Sequence, residues 1–204
     1  RLAFKFPVQV EDLVRTVSEF ESLSSHGLIN GCVGALDGWL CRIRVPSANE
    51  VKRVKSYFSG HYQCYGVNVQ ATCDAYCRFT SLSVICPGGT SDSKAFYASR
   101  VYNLVSHLPG GLFVVADNVY TLSPTLLIPC SGINKLNQSK DAFNFFLSQL
   151  HIRIEQGFGL LVMKWHVFKK PLEVKFWQTT LVIEAAFHLH NYCMDKNEYA
   201  AMVV

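Results

Sequence analysis

The order in which the hydrophobic period changes along these 204 residues limits the fold more than any other feature of the chain. Residues 8–25 (VQVEDLVRTVSEFESLSS) carry Val10, Leu13, Val14, Val17 and Phe20 at spacings of three and four, a helical stripe. Three β-rich runs come next, 32–45, 65–74 and 78–89, with Asp74 to Cys77 as the turn joining the second and third. The period then lengthens again. Residues 90–111 (TSDSKAFYASRVYNLVSHLPGG) read as one helix, with Ser91 or Asp92 as N-cap and Pro-Gly-Gly as the stop. GLFVVAD (111–117) is a short apolar strand ending in an acid. Residues 141–165 return to helical spacing at Phe143, Phe146, Leu147, Leu150, Ile154, Phe158 and Leu161, and a last amphipathic helix covers about 172–193. Three strands, then helix, strand, helix is the order of an α/β protein whose mixed sheet is covered by helices.

Half of the residues are hydrophobic, enough for one sizeable core and too many for a disordered chain. Gly, Pro and Ser are spread as turns, with no linker and no repeat at a fixed period, so one domain is expected. The formal charge of +4 is compatible with a polyanionic partner without requiring one. Basic residues gather in VKRVKSYFSGHY (51–62) and MKWHVFKKPLEVK (163–175), both interleaved with aromatics; a solvated face explains either stretch taken alone. None of the eight cysteines forms a CxxC pair and most sit in apolar runs, which reads as small buried hydrophobes in a reducing, intracellular compartment. No apolar run reaches transmembrane length, so no membrane partner is expected. The chain opens on Arg1, so a native start and any targeting signal are expected to lie before it.

One acid stands out in GCVGALDGWLCRIRV (31–45), where Asp37 interrupts a run that otherwise reads as a buried strand. An ionised carboxylate in an apolar setting is costly without a cation, a hydrogen-bond network or a metal beside it. Asp117 ends the strand GLFVVAD, at the edge where open α/β sheets place their ligand sites. Glu155 lies one residue from Ile154 and three from Phe158, on the border of the long helix's apolar stripe. A helix packed across the sheet would aim it at both aspartates. Hard divalent cations take oxygen ligands and commonly use a few carboxylates plus substrate phosphates, so three converging acids make chemical sense. Each acid alone also has an ordinary reading: a turn for Asp37 in DG and Asp117 in DN, a solvated helix position for Glu155 beside Arg153.

Taken in order, GCVGALDG, YGVNVQATCD, PGGTSDSKAF, LPGGLFVVADNVYTLSPTLLIPC, FNFFLSQLHIRIEQGFGLLVMKW and HNYC resemble the nuclease domain of Harbinger-type DDE transposases, from about Phe6 to Cys193. The family's motifs fall on Asp37, Asp117 and Glu155. The resemblance implies an RNase H-like mixed sheet flanked by helices, with a helical lead-in over 1–30, the nuclease domain over 31–193 and a tail over 194–204. It implies that the three acids hold two divalent ions, Mg²⁺ or Mn²⁺, which clamp an in-line phosphoryl displacement on DNA. It also implies a nuclear location, a Myb-like DNA-binding partner protein and an oligomer. The family's N-terminal DNA-binding segment is expected to lie before Arg1.

Asp92 matches an acid the family places after its glycine turn, and an N-cap role explains it without catalysis. Tyr120 and Pro129 match the pattern around the second acid and read as packing. His188 and His190 do not read as a zinc pair, because i and i+2 point apart on a helix. Three positions depart from the family: Val119 replaces a small residue, His151 an arginine and Val162 a basic residue. Intact acids favour a nuclease; the altered flanks favour a decayed or domesticated domain that keeps the fold to bind DNA or protein.

Overall fold

The computed structural model describes residues 3–131 and 138–196, so the expected tail lies outside the described residues from position 197 onward. Helix α1 (Val10–Glu21) leads into strand β1 (Cys32–Arg42), a two-residue strand β2 (Phe58–Ser59), then β3 (Cys64–Cys73) and β4 (Phe79–Pro87). Helices α2 (Asp92–Ala98) and α3 (Arg100–Ser106) precede β5 (Phe113–Val115) and β6 (Leu126–Leu127). The long helix α4 (Gln138–Lys164) and α5 (Phe176–Asp195) complete the order. β3 runs antiparallel between β4 and β1; β5 joins β1 in parallel and β6 joins β5 in parallel, while β2 pairs with the start of β3. This six-stranded mixed sheet flanked by helices is the α/β architecture expected from the element order, and it is consistent with the RNase H-like fold that the resemblance implies.

The β3–β4 hairpin closes at the expected turn. The Asp74 carboxylate accepts the Tyr76 and Arg78 amides at 2.9 Å each and pairs with the Arg78 guanidinium, while Cys77 takes a positive φ of 62°. The helix expected over 90–111 is two helices. Ser99 adopts an extended backbone, donates its hydroxyl to the Phe96 carbonyl at 2.7 Å and accepts the Tyr102 amide at 3.4 Å. A serine that offers both ends of a broken helix a local hydrogen bond competes with continuation, and the apolar period on either side gives no sign of the break. On α1, Leu13 and Phe20 are buried but Val10 and Val14 are exposed, so its buried stripe is narrower than its apolar pattern.

Alternation along the strands sorts residues into two layers. Ala35, Cys41, Val69, Ala71 and Val115 face α4 and α5 and pack with Leu150, Ile154 and Phe187. Leu36 and Val114 face the other way, against Phe96 of α2 and Val101 and Val105 of α3. His190 belongs to the first layer: fully buried, it donates Nε2–H to the Cys77 carbonyl at 2.9 Å, and burial lowers it to about 4. His188 instead stacks on Phe4 with ring centres 4.1 Å apart, so the two histidines serve different packing contacts.

Candidate active site

The parallel register pairs Ala35 with Val115, and both residues face α4. Two residues further along each chain, with the same facing by alternation, stand Asp37 and Asp117. β5 has ended by then, so that side of β1 is uncovered from Asp37 until Leu172 bridges to Ile43. Asp117 opens the turn that follows β5: its carboxylate accepts the Val119 amide at 3.1 Å and its carbonyl the Tyr120 amide at 3.4 Å.

α4 brings the third acid. His151 approaches the Leu36 carbonyl through Nε2 at 3.3 Å, and Phe158 stacks on Trp39 with centroids 5.9 Å apart. The helix therefore runs in the direction of β1. Seven helical residues rise about 10.5 Å, as three strand residues do, so Glu155 falls level with Asp37 and Gly38. Its side chain is 61% exposed and its Oε1 lies 3.4 Å from His151 Nδ1. With the Nε2 proton directed to the Leu36 carbonyl, Nδ1 attracts the carboxylate only when the ring is doubly protonated.

Asp92 is the outcome that differs from the sequence reading. Ser91 occupies the N-cap position, Asp92 is the first residue of α2, and neither side chain caps the helix. The Asp92 Oδ1 instead accepts from Asn68 Nδ2 at 2.8 Å and Gln70 Nε2 at 3.1 Å, in the notch that Gly38 leaves; a Cβ on Gly38 would overlap that oxygen. Gln70 pairs with Gly38 across the ladder and accepts the Tyr120 hydroxyl at 2.8 Å. Tyr120 is buried against Phe96, as its packing assignment requires, and also ties the Asp117 turn to β3. Asn68, Gln70 and Thr72 alternate with Val67, Val69 and Ala71. A strand polar on one face and apolar on the other, in a chain that buries both, was the available signal for this network.

Electrostatics follow from the placement. Burial pushes the Asp37 carboxyl up to about 7; the Gly38 amide, donating at 2.7 Å, pulls it back, and the charges of Asp117, Asp92 and Glu155 raise it further. Asp117 is also raised, first by burial, with Val119 and His151 opposing and Asp92 and Glu155 adding. The charges acting on Asp37 are thus all negative, and the carboxylate that interrupts an apolar strand has further acids as neighbours. Oxygen donors of this kind fit a hard divalent cation. Among the described residues, however, no three acids or other ligands stand close enough to hold one ion, because Glu155 is turned to His151.

The two basic stretches meet at the far end of β1. Ile43 bridges to Leu172, the Leu172 amide donates to the Arg42 carbonyl at 2.9 Å, and Tyr57 packs edge-on against Phe176 at 5.0 Å. Glu50 joins them, accepting from Arg44 and from the Phe176 amide, which holds its carboxyl down at about 2. Among the described residues no helix is long and apolar enough to cross a membrane.

Compared with known proteins, residues 36–191 match the family model described as DDE superfamily endonuclease. That span contains Asp37, Asp117 and Glu155. No curated protein and no solved structure matches the chain.

Proposed function

Because the chain belongs to the DDE superfamily endonuclease family, we propose that it is a transposase-derived nuclease of Harbinger type whose Asp37, Asp117 and Glu155 hold two divalent ions, Mg²⁺ or Mn²⁺, for DNA phosphodiester cleavage. The observation that carries this reading is the register that sets Asp37 and Asp117 side by side where β5 stops. Ions held by these residues would supply a hydroxide at neutral pH and stabilisation for the leaving 3′ oxygen. Asp37 and Asp117 contribute ligand oxygens from backbone positions fixed by the sheet. Glu155 joins them by leaving His151, a side-chain rotation that its exposure permits. DNA phosphates approach along the uncovered side of β1, and the basic segments at the end of that strand grip the flanking backbone without reading bases. The reading includes the domain limits 31–193, a nuclear location, and a Myb-like partner protein that supplies sequence recognition.

A second reading, a domain that keeps the fold only to bind DNA, is favoured by one observation: Glu155 is engaged with His151 instead of facing the aspartates. Plasmid nicking in Mg²⁺ or Mn²⁺, together with thermal melting in Ca²⁺, tests both. The nuclease reading expects nicking by the wild type, at least a ~100-fold loss in Asp117→Asn, and metal-induced stabilisation confined to the wild type. Cleavage that survives in Asp117→Asn places the chemistry elsewhere. Neither cleavage nor stabilisation in the wild type, with DNA binding intact, establishes the second reading.

A further inference from the structure

Helix α5 buries Thr179, Ile183, Ala186, Phe187, His190 and Cys193, and this face accounts for its docking on the sheet. Its opposite face is also apolar. Trp177, Leu181, Ala185, Leu189 and Tyr192 follow at spacings of four, four, four and three, and all five are exposed, Trp177 at 65% and Leu181 at 55%. A surface helix needs only one apolar stripe, and the five residues of the second stay exposed although Phe4 stacks on His188 beside them.

The order of the stripe says what covers it. Reading outward from Ala185, each direction meets a leucine four residues away and an aromatic seven or eight residues away. A sequence that reads alike in both directions is complementary to itself when two copies pack antiparallel about a two-fold axis. We propose that α5 is the interface of a homodimer, with Ala185 at the axis, Leu181 against the partner's Leu189, and Trp177 against the partner's Tyr192.

Three features support a second copy over another occupant. Residues four apart form a ridge that packs into its own kind at about −50°, a crossing in which helices touch at the centre and diverge toward the ends. The small residue lies where the axes approach and the large aromatics lie where the gap opens. The exposed parts of these side chains amount to roughly 1,000 Å² over two copies, about the threshold for a specific interface before neighbouring segments add to it. Antiparallel packing also opposes the helix dipoles.

Sedimentation equilibrium on the chain, its Leu181→Lys and Leu189→Glu variants, and an equimolar mixture of the two tests the assignment. The wild type should have the mass of a dimer at micromolar concentration, and each variant alone should be monomeric, with association weakened at least ~100-fold and the circular dichroism of the folded chain retained, since both positions are exposed on the protomer. The mixture should regain the dimer. In the antiparallel arrangement the new lysine meets the new glutamate and the remaining two leucines meet each other, whereas a parallel pairing leaves both charges against leucine. A monomeric wild type, dimers that persist in the single variants, or a mixture that stays monomeric each overturns the proposal. The readout is mass, so it stands apart from whether the domain cuts DNA.

Discussion

Replacing Asp37 with asparagine keeps the side-chain oxygen that receives the Gly38 amide and removes one negative charge from a cluster of four acids. In the folded protein without metal, burial holds the Asp37 proton up to about 7, whereas the unfolded chain releases it near its ordinary value of 3.8. Between those values the folded state binds more protons than the unfolded state, so the Asp37 contribution to stability falls as pH rises through the window. A rise of that size corresponds to about 4 kcal/mol if none of it is screened. Asp37 is half-buried and open to solvent where β5 stops, and screening there reduces the expected effect to roughly 1–2 kcal/mol. Urea denaturation in EDTA at about pH 3.5 and pH 8 measures it. Asp37→Asn and wild type should be nearly equal at the lower pH, beneath the ordinary value, and the variant should be more stable by roughly 1–2 kcal/mol at pH 8. Parallel stability profiles across the two pH values would refute the placement of a half-buried Asp37 among like-charged neighbours.

Gly38→Ala should destabilise by about 2–3 kcal/mol in urea denaturation, since the added Cβ meets Asp92 Oδ1 and lies 2.7 Å from Gln70 Nε2; adding Asp92→Ala should recover part of the loss, and a strictly additive double variant would contradict the notch. Lys55→Ala and Lys169→Ala should each weaken DNA binding about equally for all sequences and flatten its dependence on log salt by roughly one unit, which fluorescence anisotropy at several salt concentrations reads directly.

Periodicity carried most of the fold because the large elements bury wide stripes. The strands around Asp37, Gln70 and Ser83, and the helices bearing Ile154 and Ile183, are long enough for their period to declare itself. The two-residue strands β2 and β6 have no period to read, and the break at Ser99 depends on one hydroxyl finding two backbone partners. For the candidate site, the resemblance named Asp37, Asp117 and Glu155, and backbone register brings the two aspartates together. Side-chain direction was beyond it. Whether Glu155 faces the aspartates or His151 depends on a rotamer at an exposed position. Asp92 illustrates the opposite limit. Capping is a local role that can be read from the order Ser-Asp-Ser, but accepting Asn68 and Gln70 depends on α2 landing over a glycine more than fifty residues earlier.

The position of the acids has a cause in the sheet itself. β5 pairs with β1 only as far as Val115 and then turns away at Asp117, which uncovers one side of β1 in mid-strand, where a strand would ordinarily be paired on both sides. The vacated edge is next to Gly38, the one residue there without a side chain to fill it. From the α4 layer, Asp37 and Asp117 border this opening with Glu155 level with them; from the α2 layer, Asp92 enters through the space above Gly38. An opening flanked by carboxylates from both layers concentrates negative charge where water is partly excluded, which raises Asp37 and Asp117 together. The same crowding that destabilises the protein at high pH would favour the divalent cations of the proposed mechanism, because bringing in +2 would relieve repulsion among groups that the backbone does not let separate. Cation affinity should therefore rise with pH over the interval in which apo stability falls, and both trends should weaken together in Asp37→Asn, leaving the part due to Asp117. Isothermal titration with Mg²⁺ at pH 6 and pH 8 would show this, and an affinity independent of pH in the wild type would mean that the proton and the cation do not compete for Asp37.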